Sequence, residues 1–445
     1  MRFLFLNNNN FSGTLEDVFG NNTKLGLLYI SNNSITGTIP IEISNMSSLE
    51  IIDLSQNNLI GSIPKFTAGS LRFLYLQKNN LTGSIPSELS ESSELILLDL
   101  GDNKLSGKIP NWMDNLSRLR VLALGGNNLE GDIPIELCQL KNIDMMDLSR
   151  NKLNASIPTC FQNMSFGMHD HNPIFEALYQ ITKFLSERLN DILLLGRHID
   201  NRIFDGLIWN ENSFSASLTI DLPLHVDPSL NDEINLEVEF RTKLYIYSYK
   251  GKILEKMAGL DLSCNYLTGL IPSQFGNLQQ IKVLNLSHNF LSGPIPITFS
   301  NLTQIESLDL SYNNLSGKIP YELTQLTSLE IFNVSYNNLT GTPPSTRQFA
   351  TFVEDSYRGN PGLCGPLLNR KCEHVESSPS SKSNDNEKEE TNVDMITFYW
   401  SFATSYVTIL LAFITVLCIN ARWRMAWFYY IGKFMHTLFP AFPLY

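Results

Sequence analysis

Cysteine is scarce in this chain, with six residues in 445. That is too few for disulfides to replace a core, and no pair has the C-x-x-C spacing of a metal site. Charge is scarce as well. Only 17% of residues are charged and the net balance is −12, which excludes the basic footprint that nucleic-acid binding needs. No nucleophile–base pair, metal cluster or phosphate loop stands out, so the residues point to no catalysis, no metal and no cofactor. His169 and His171 have no third ligand nearby and read as loop residues. The opening Met1–Leu6 has no charged segment, no long apolar run and no cleavage site.

What the chain has in quantity is one phrase. Leu98-Asp99-Leu100-Gly101-Asp102-Asn103-Lys104-Leu105 is one of eleven copies, whose Asn recurs as Asn9, Asn33, Asn57, Asn79, Asn103, Asn127, Asn151, Asn265, Asn289, Asn313 and Asn337. The steps are 24 residues, save one of 22 and one gap of 114. L-x-L-x-x-N-x-L at a period between 20 and 29 is the leucine-rich repeat. The alternating L-x-L reads as a short strand with its leucines on one side. The Asn is expected to bridge backbone groups of neighbouring coils that would otherwise lack partners. A single coil cannot bury its apolar face, so the coils must stack into a continuous core with an exposed concave sheet. A Gly from Gly13 to Gly341 allows the turn that follows. Position 155 is Ala instead, and Thr14-Leu15-Glu16 and Pro343 also depart from the pattern.

The fold expected is an α/β solenoid, a leucine-rich-repeat horseshoe with an island insertion, plus one transmembrane helix. Repeats one to seven occupy 1–164, the island 165–256, repeats eight to eleven 257–344, and a Cys-pair cap 345–372. An acidic stalk follows at 373–395, a span at 396–420 and a short tail at 421–445. The 114-residue gap is one repeat plus 90, so the island leaves the frame intact. Within it, a helix is expected over 176–195, and alternating strands at Glu237–Phe240 and Lys243–Tyr247. Ile396–Ile419 carries no charge, with Phe398-Tyr399-Trp400 at one end and Arg422 and Arg424 just beyond. That length spans a bilayer, and the arginines place the C-terminus inside. The tail is too short for an enzyme domain.

Alternate strand residues face the concave side. The column between the strand leucines reads Phe5, Tyr29, Asp53, Tyr75, Asp99, Ala123 and Asp147. Phe5, Tyr29 and Tyr75 break the usual L-D-L, and Lys78, Asp102 and Arg150 stand one column over. These six are the ligand-binding candidates, since exposed aromatics beside charges suit recognition. Tolerated strand formers would look the same. Cys138 and Cys160 lie on successive coils, where stacking should join them in an oxidising compartment. Cys364 and Cys372, eight apart in a Gly/Pro-rich loop, should staple a lid over the last coil. Cys264 is expected to be a buried thiol. Thirteen sequons fit a glycosylated chain: Asn10, Asn21, Asn32, Asn45, Asn80, Asn115, Asn154, Asn163, Asn285, Asn301, Asn314, Asn333 and Asn338. Some of them arise because the repeat itself writes N-x-L-S/T.

Repeats, island, four more repeats, paired-Cys lid, acidic stalk, single span and kinase-less tail together resemble a plant leucine-rich-repeat receptor-like protein, and the repeats its plant extracellular type. The most specific residues are Lys243, Tyr247, Tyr249, Gly251 and Met257–Ser263 at the island exit. Gly359-Asn360-Pro361-Gly362-Leu363-Cys364-Gly365 and Phe398–Ala403 complete them. The resemblance implies a plasma-membrane receptor with its repeats extracellular, sensing an extracellular peptide or microbial ligand in defence or development. It implies adaptor and co-receptor leucine-rich-repeat receptor kinases as partners. Family members begin with a signal peptide and a Cys-bearing cap, so the chain is expected to be N-terminally truncated. In the span, Ser401-x-x-x-Ser405 and Thr404-x-x-x-Thr408 replace the family's Gly-x-x-x-Gly. The alternatives are an extracellular enzyme inhibitor or binding protein, and a non-functional receptor fragment.

Overall fold

The computed structural model describes residues 3–16, 19, 24–66, 69–164, 166–167, 237–242, 245–250 and 256–372. Each L-x-L motif forms a three-residue strand, from Phe3–Phe5 to Ile331–Asn333, and eleven such strands make one parallel sheet in chain order. The register never slips. Leu98 pairs with Leu122, and across the interruption Met146 pairs with Leu260. The central residue of each strand points into the coil interior. There Leu28, Leu74, Leu98, Leu122, Leu260 and Leu308 are fully buried in one continuous core. Each such side chain contributes about 1.5–3 kcal/mol by leaving water.

The ladder asparagines tie coil to coil. The Asn103 amide donates to the carbonyls of Leu76 at 3.0 Å and Leu100 at 3.1 Å, and its Oδ1 accepts from the Leu81 N–H at 3.0 Å. Asn265 does the same across the interruption, donating to Leu148 and accepting from the Leu153 N–H, both at 3.0 Å. The residue before each ladder Asn sits at positive φ, as at Lys78 (56°), Asp102 (51°) and Arg150 (52°). Such a conformation costs a non-glycine residue roughly 1 kcal/mol. The side-chain bonds made by each asparagine, four at Asn103 and at Asn265, hold the turn in place.

The helical half of the expected α/β solenoid needs correction. Among the described residues the only α-helix is Ile41–Ser44, four residues long. Elsewhere the outer side carries five-residue 3₁₀ helices that start after a proline, such as Ser87–Glu91, Asn111–Asn115 and Tyr321–Gln325. The segment between the proline and the next strand has room for one short helical turn, which is 3₁₀ in most coils and α at Ile41–Ser44.

The lid is itself a coil. Asn360 donates to the Val334 carbonyl at 2.9 Å and accepts from the Leu339 N–H at 3.0 Å, making a twelfth rung of the ladder. Tyr357 and Leu363 are fully buried beneath it, and Cys364 and Cys372 are bonded. Cys138 and Cys160 are bonded as well, their Cα atoms 5.8 Å apart. Cys264 lies outside both bonds and is half-exposed rather than buried. It stands at a positive-φ turn (56°), which carries its side chain away from the interior.

No helix among the described residues is long and apolar enough to cross a membrane. The span expected at 396–420, the stalk, the tail, the helix expected over 176–195, His169, His171 and Asn21 all lie outside the described residues.

Candidate ligand-binding face

The first and third residues of each strand point away from the core onto the open face of the sheet. Two stretches of the island form an antiparallel hairpin, Glu237–Thr242 with Tyr245–Lys250. Val238 and Phe240, 1% and 2% exposed, pack onto that face with Leu27, Tyr29, Ile51, Phe73, Tyr75, Leu97, Val121, Met145 and Val283. The result is a second apolar cluster, separate from the interior one. Phe240 rests against Gly259, where a Cβ would stand 2.6 Å from its ring. A side chain at that strand position would push the hairpin off.

This placement corrects the reading of the aromatics. Tyr29 and Tyr75 are on the expected face, yet only 5% and 4% exposed. They belong to the cluster shared with the hairpin, not to a free surface. Phe5 is 37% exposed and stacks on Tyr29 with ring centroids 5.3 Å apart. Sequence periodicity reports the face a residue takes but not what later folds over it.

Lys78, Asp102 and Arg150 do come together. They line one small pocket with Gln77, Asp99, Ala123, Asp147 and Glu239. The Lys78 ammonium meets Glu239 of the hairpin at 2.6 Å, and Arg150 reaches Asp102 at 2.8 Å. That second pair spans two coils because coil six carries Gly126 where its neighbours carry Asp102 and Arg150, with Gly125 just before it. A Cβ on Gly126 would fall 2.3 Å from Asp102 Oδ1, and one on Gly125 would fall 2.5 Å from Asp147 Oδ2. The glycine pair is therefore a notch for these charges.

Asp99 and Asp261 beneath are buried, and Asp147 is half-buried. Burial pushes the Asp99 carboxyl up to about 8, against the Gly101 N–H bond that favours its charged form, with Asp147, Asp102 and Glu239 raising it further. Asp147 and Asp261 are register partners, and burial raises both before either feels the other. The Ser149 N–H donates to Asp147 and the Ser263 N–H to Asp261, which limits the shift. No group of acids, histidines and cysteines among the described residues is arranged to hold a metal ion.

Sequence reasoning missed a site further along the same turn column. His288, Tyr312 and Tyr336 stack in sequence, with ring centroids 4.1 and 4.3 Å apart and planes within 11° and 17°. Arg358 caps the stack 5.5 Å from the Tyr336 ring. Tyr312 and Tyr336 remain 41% and 39% exposed. The signal was available in the column before each ladder Asn, which runs from Asn8 and Asn32 to His288, Tyr312 and Tyr336. Only the regular step between coils turns that run into a face-to-face stack.

One sequon is corrected too. Asn285 is 6% exposed and donates to Asp261 Oδ2 at 3.1 Å, so no sugar fits on it. Asn80 and Asn333 are half-buried, and the other described sequon asparagines are exposed.

The leucine rich repeat family matches residues 1–59, 69–129, 255–315 and 296–339. Receptor-like protein 9a of Arabidopsis thaliana is 52% identical over 228 residues, 51% of this chain and 24% of that protein. The chain carries leucine-rich repeats and is similar to the plant receptor-like proteins. The chain thus spans about a quarter of the length of the curated relatives it matches. Among solved structures, a TDR receptor superposes with a TM-score of 0.55 at 24% identity, covering 78% of this chain and 44% of the receptor. A plant ice-binding protein superposes at 0.50 and 24% identity, covering 77% of this chain and 81% of that protein. The fold is shared by a receptor and an ice binder, so function must be argued from particular surfaces.

Proposed function

We propose that this chain is the ligand-binding part of a cell-surface receptor-like protein without a kinase domain. The ligand is an extracellular peptide or microbial molecule, and the signal passes through adaptor and co-receptor receptor kinases in defence or development. The observation that carries this reading is the exposed His288–Tyr312–Tyr336 stack closed by Arg358. Flat aromatic faces beside a guanidinium are what a binding surface concentrates, because they combine contact area with little rotamer entropy. Val238 and Phe240 of the hairpin share one buried cluster with first-position strand residues from Leu27 to Val283, so the turn column is the accessible part of the site. Relatives named receptor-like proteins support the class, and the uncharged stretch 396–419 followed by Arg422 and Arg424 supports a membrane anchor with the repeats outside.

The test is co-purification from plant membranes. Full chain carrying Tyr312→Ala and Tyr336→Ala is expected to lose at least tenfold of the receptor kinase recovered with the unmodified chain. Both variants should melt with the parent, because the rings are exposed. Equal recovery of kinase by variant and parent would remove the stack from the binding surface.

A further inference from the structure

The residue after each ladder Asn lies at or just before the second strand of its coil. It is polar throughout the stack, from Asn10 to Asn338, except at Tyr266 and Phe290. These two rings stack with centroids 6.1 Å apart and are 53% and 59% exposed. Leu270, 64% exposed, leans over Gly293 of the next coil, further along the same strand. Apolar surface gathered in this way on two adjacent coils calls for a cover. The next residue in the same line is Asn314, exposed and the first residue of the sequon Asn314-Leu315-Ser316. In the second sheet Asn314 pairs with Ser292, two residues on from Phe290, so a sugar joined to Asn314 starts one strand over and about 7 Å along the strand from that ring's residue.

We propose that an N-linked glycan on Asn314 folds back along the stack and lays its first N-acetylglucosamine on Phe290, with Tyr266 and Leu270 under the next sugar. In the transfer, Asn314 Nδ2 bonds to C1 of the sugar as the bond from C1 to the phosphate oxygen of a lipid-linked diphosphate donor breaks. The lipid diphosphate leaves and the amide gives up one proton. The flat C–H face of the sugar suits the electron-rich ring face, while its hydroxyls stay in water. The glycan thus turns an apolar patch into a solvated surface without changing the coil beneath. Asn338 is the internal control. It is an exposed sequon at the same position of the next coil, with Asn314 rather than an aromatic ring beside it. The inference rests on the repeats being extracellular, and the experiment separates the two claims.

The full chain is expressed through a plant secretory pathway in cells held to high-mannose glycans, and glycopeptides are mapped by mass spectrometry. Asn314 is expected to carry sugar. Asn314→Gln should lower the melting temperature by about 1–3 °C, and Asn338→Gln should leave it unchanged. Trimming with endoglycosidase H to a single sugar should keep most of the stabilisation. In a Tyr266→Ser, Phe290→Ser background, Asn314→Gln should have no further effect. Sugar on other exposed sequons but none on Asn314 overturns this inference alone. Sugar on none of them overturns the extracellular reading and this inference together. An Asn314→Gln shift that survives the double serine change, or matches that of Asn338→Gln, overturns the packing.

Discussion

At the scale of the residue, this molecule runs on a backbone cost repeated once per coil and met each time by an asparagine. Positive φ before the ladder position would strain any side chain, and the hydrogen bonds of one carboxamide, four at Asn103, hold it there. The turn after the ladder is usually spared because glycine occupies it, with φ of 85° at Gly107 and 84° at Gly131. Ala155 breaks the rule at φ 64°. Ala155→Gly is therefore expected to stabilise the fold by roughly 0.5–1 kcal/mol, the left-handed cost less the extra freedom glycine gives the unfolded chain. A rise in the urea midpoint at unchanged slope checks it, and a fall would mean that the Ala155 methyl makes a contact worth more than its strain.

At the scale of the element, the island hairpin matters most. It converts the open face of the sheet into a second core, through Phe240 against Gly259 and Val238 among the strand-edge side chains. Only one described ion pair, Lys78 with Glu239, anchors its charged side. Phe240→Ser should release the hairpin while the coils, held by the interior core, stay stacked. Binding of a hydrophobic dye is expected to rise several-fold, and the far-ultraviolet circular dichroism should hardly change. Loss of both signals together would show that the hairpin is part of the folding unit of the solenoid.

At the scale of the whole molecule, stability is a sum over neighbouring coils, and its pH dependence comes from the carboxylates on the open face of the sheet. Asp99 is raised to about 8 mainly by burial, and Asp147 and Asp261 shift in the same direction. An acid raised in the folded state binds its proton more tightly there than when unfolded. Its contribution is complete below the ordinary aspartate range and is lost as pH climbs through the folded value. The melting temperature should therefore fall from pH 5 to pH 8, and Asp99→Asn, which keeps an acceptor for the Gly101 N–H, should flatten the slope. A parent that melts higher at pH 8 than at pH 5 would contradict the assignment.

The repeated phrase alone determined the coil, its register and the carry-over of that register across the interruption. Each of those depends on nearest neighbours, and a 24-residue period states nearest neighbours directly. Asn360 was legible too, 23 residues beyond Asn337 with Leu363 behind it, once the lid is counted as a coil. Tertiary structure decided what covers the open face, and with it the fate of Tyr29 and Tyr75. Val238 and Phe240, more than 160 residues beyond Tyr29 and Tyr75, join the same buried cluster, and no local pattern encodes a contact so distant in the chain. It also decided that Lys78, Asp102 and Arg150 share a pocket while His288, Tyr312 and Tyr336 form a stack. Side-chain meetings across coils follow from the regular spacing of the solenoid and the missing Cβ atoms of Gly125 and Gly126, which appear only when the coils are laid on one another.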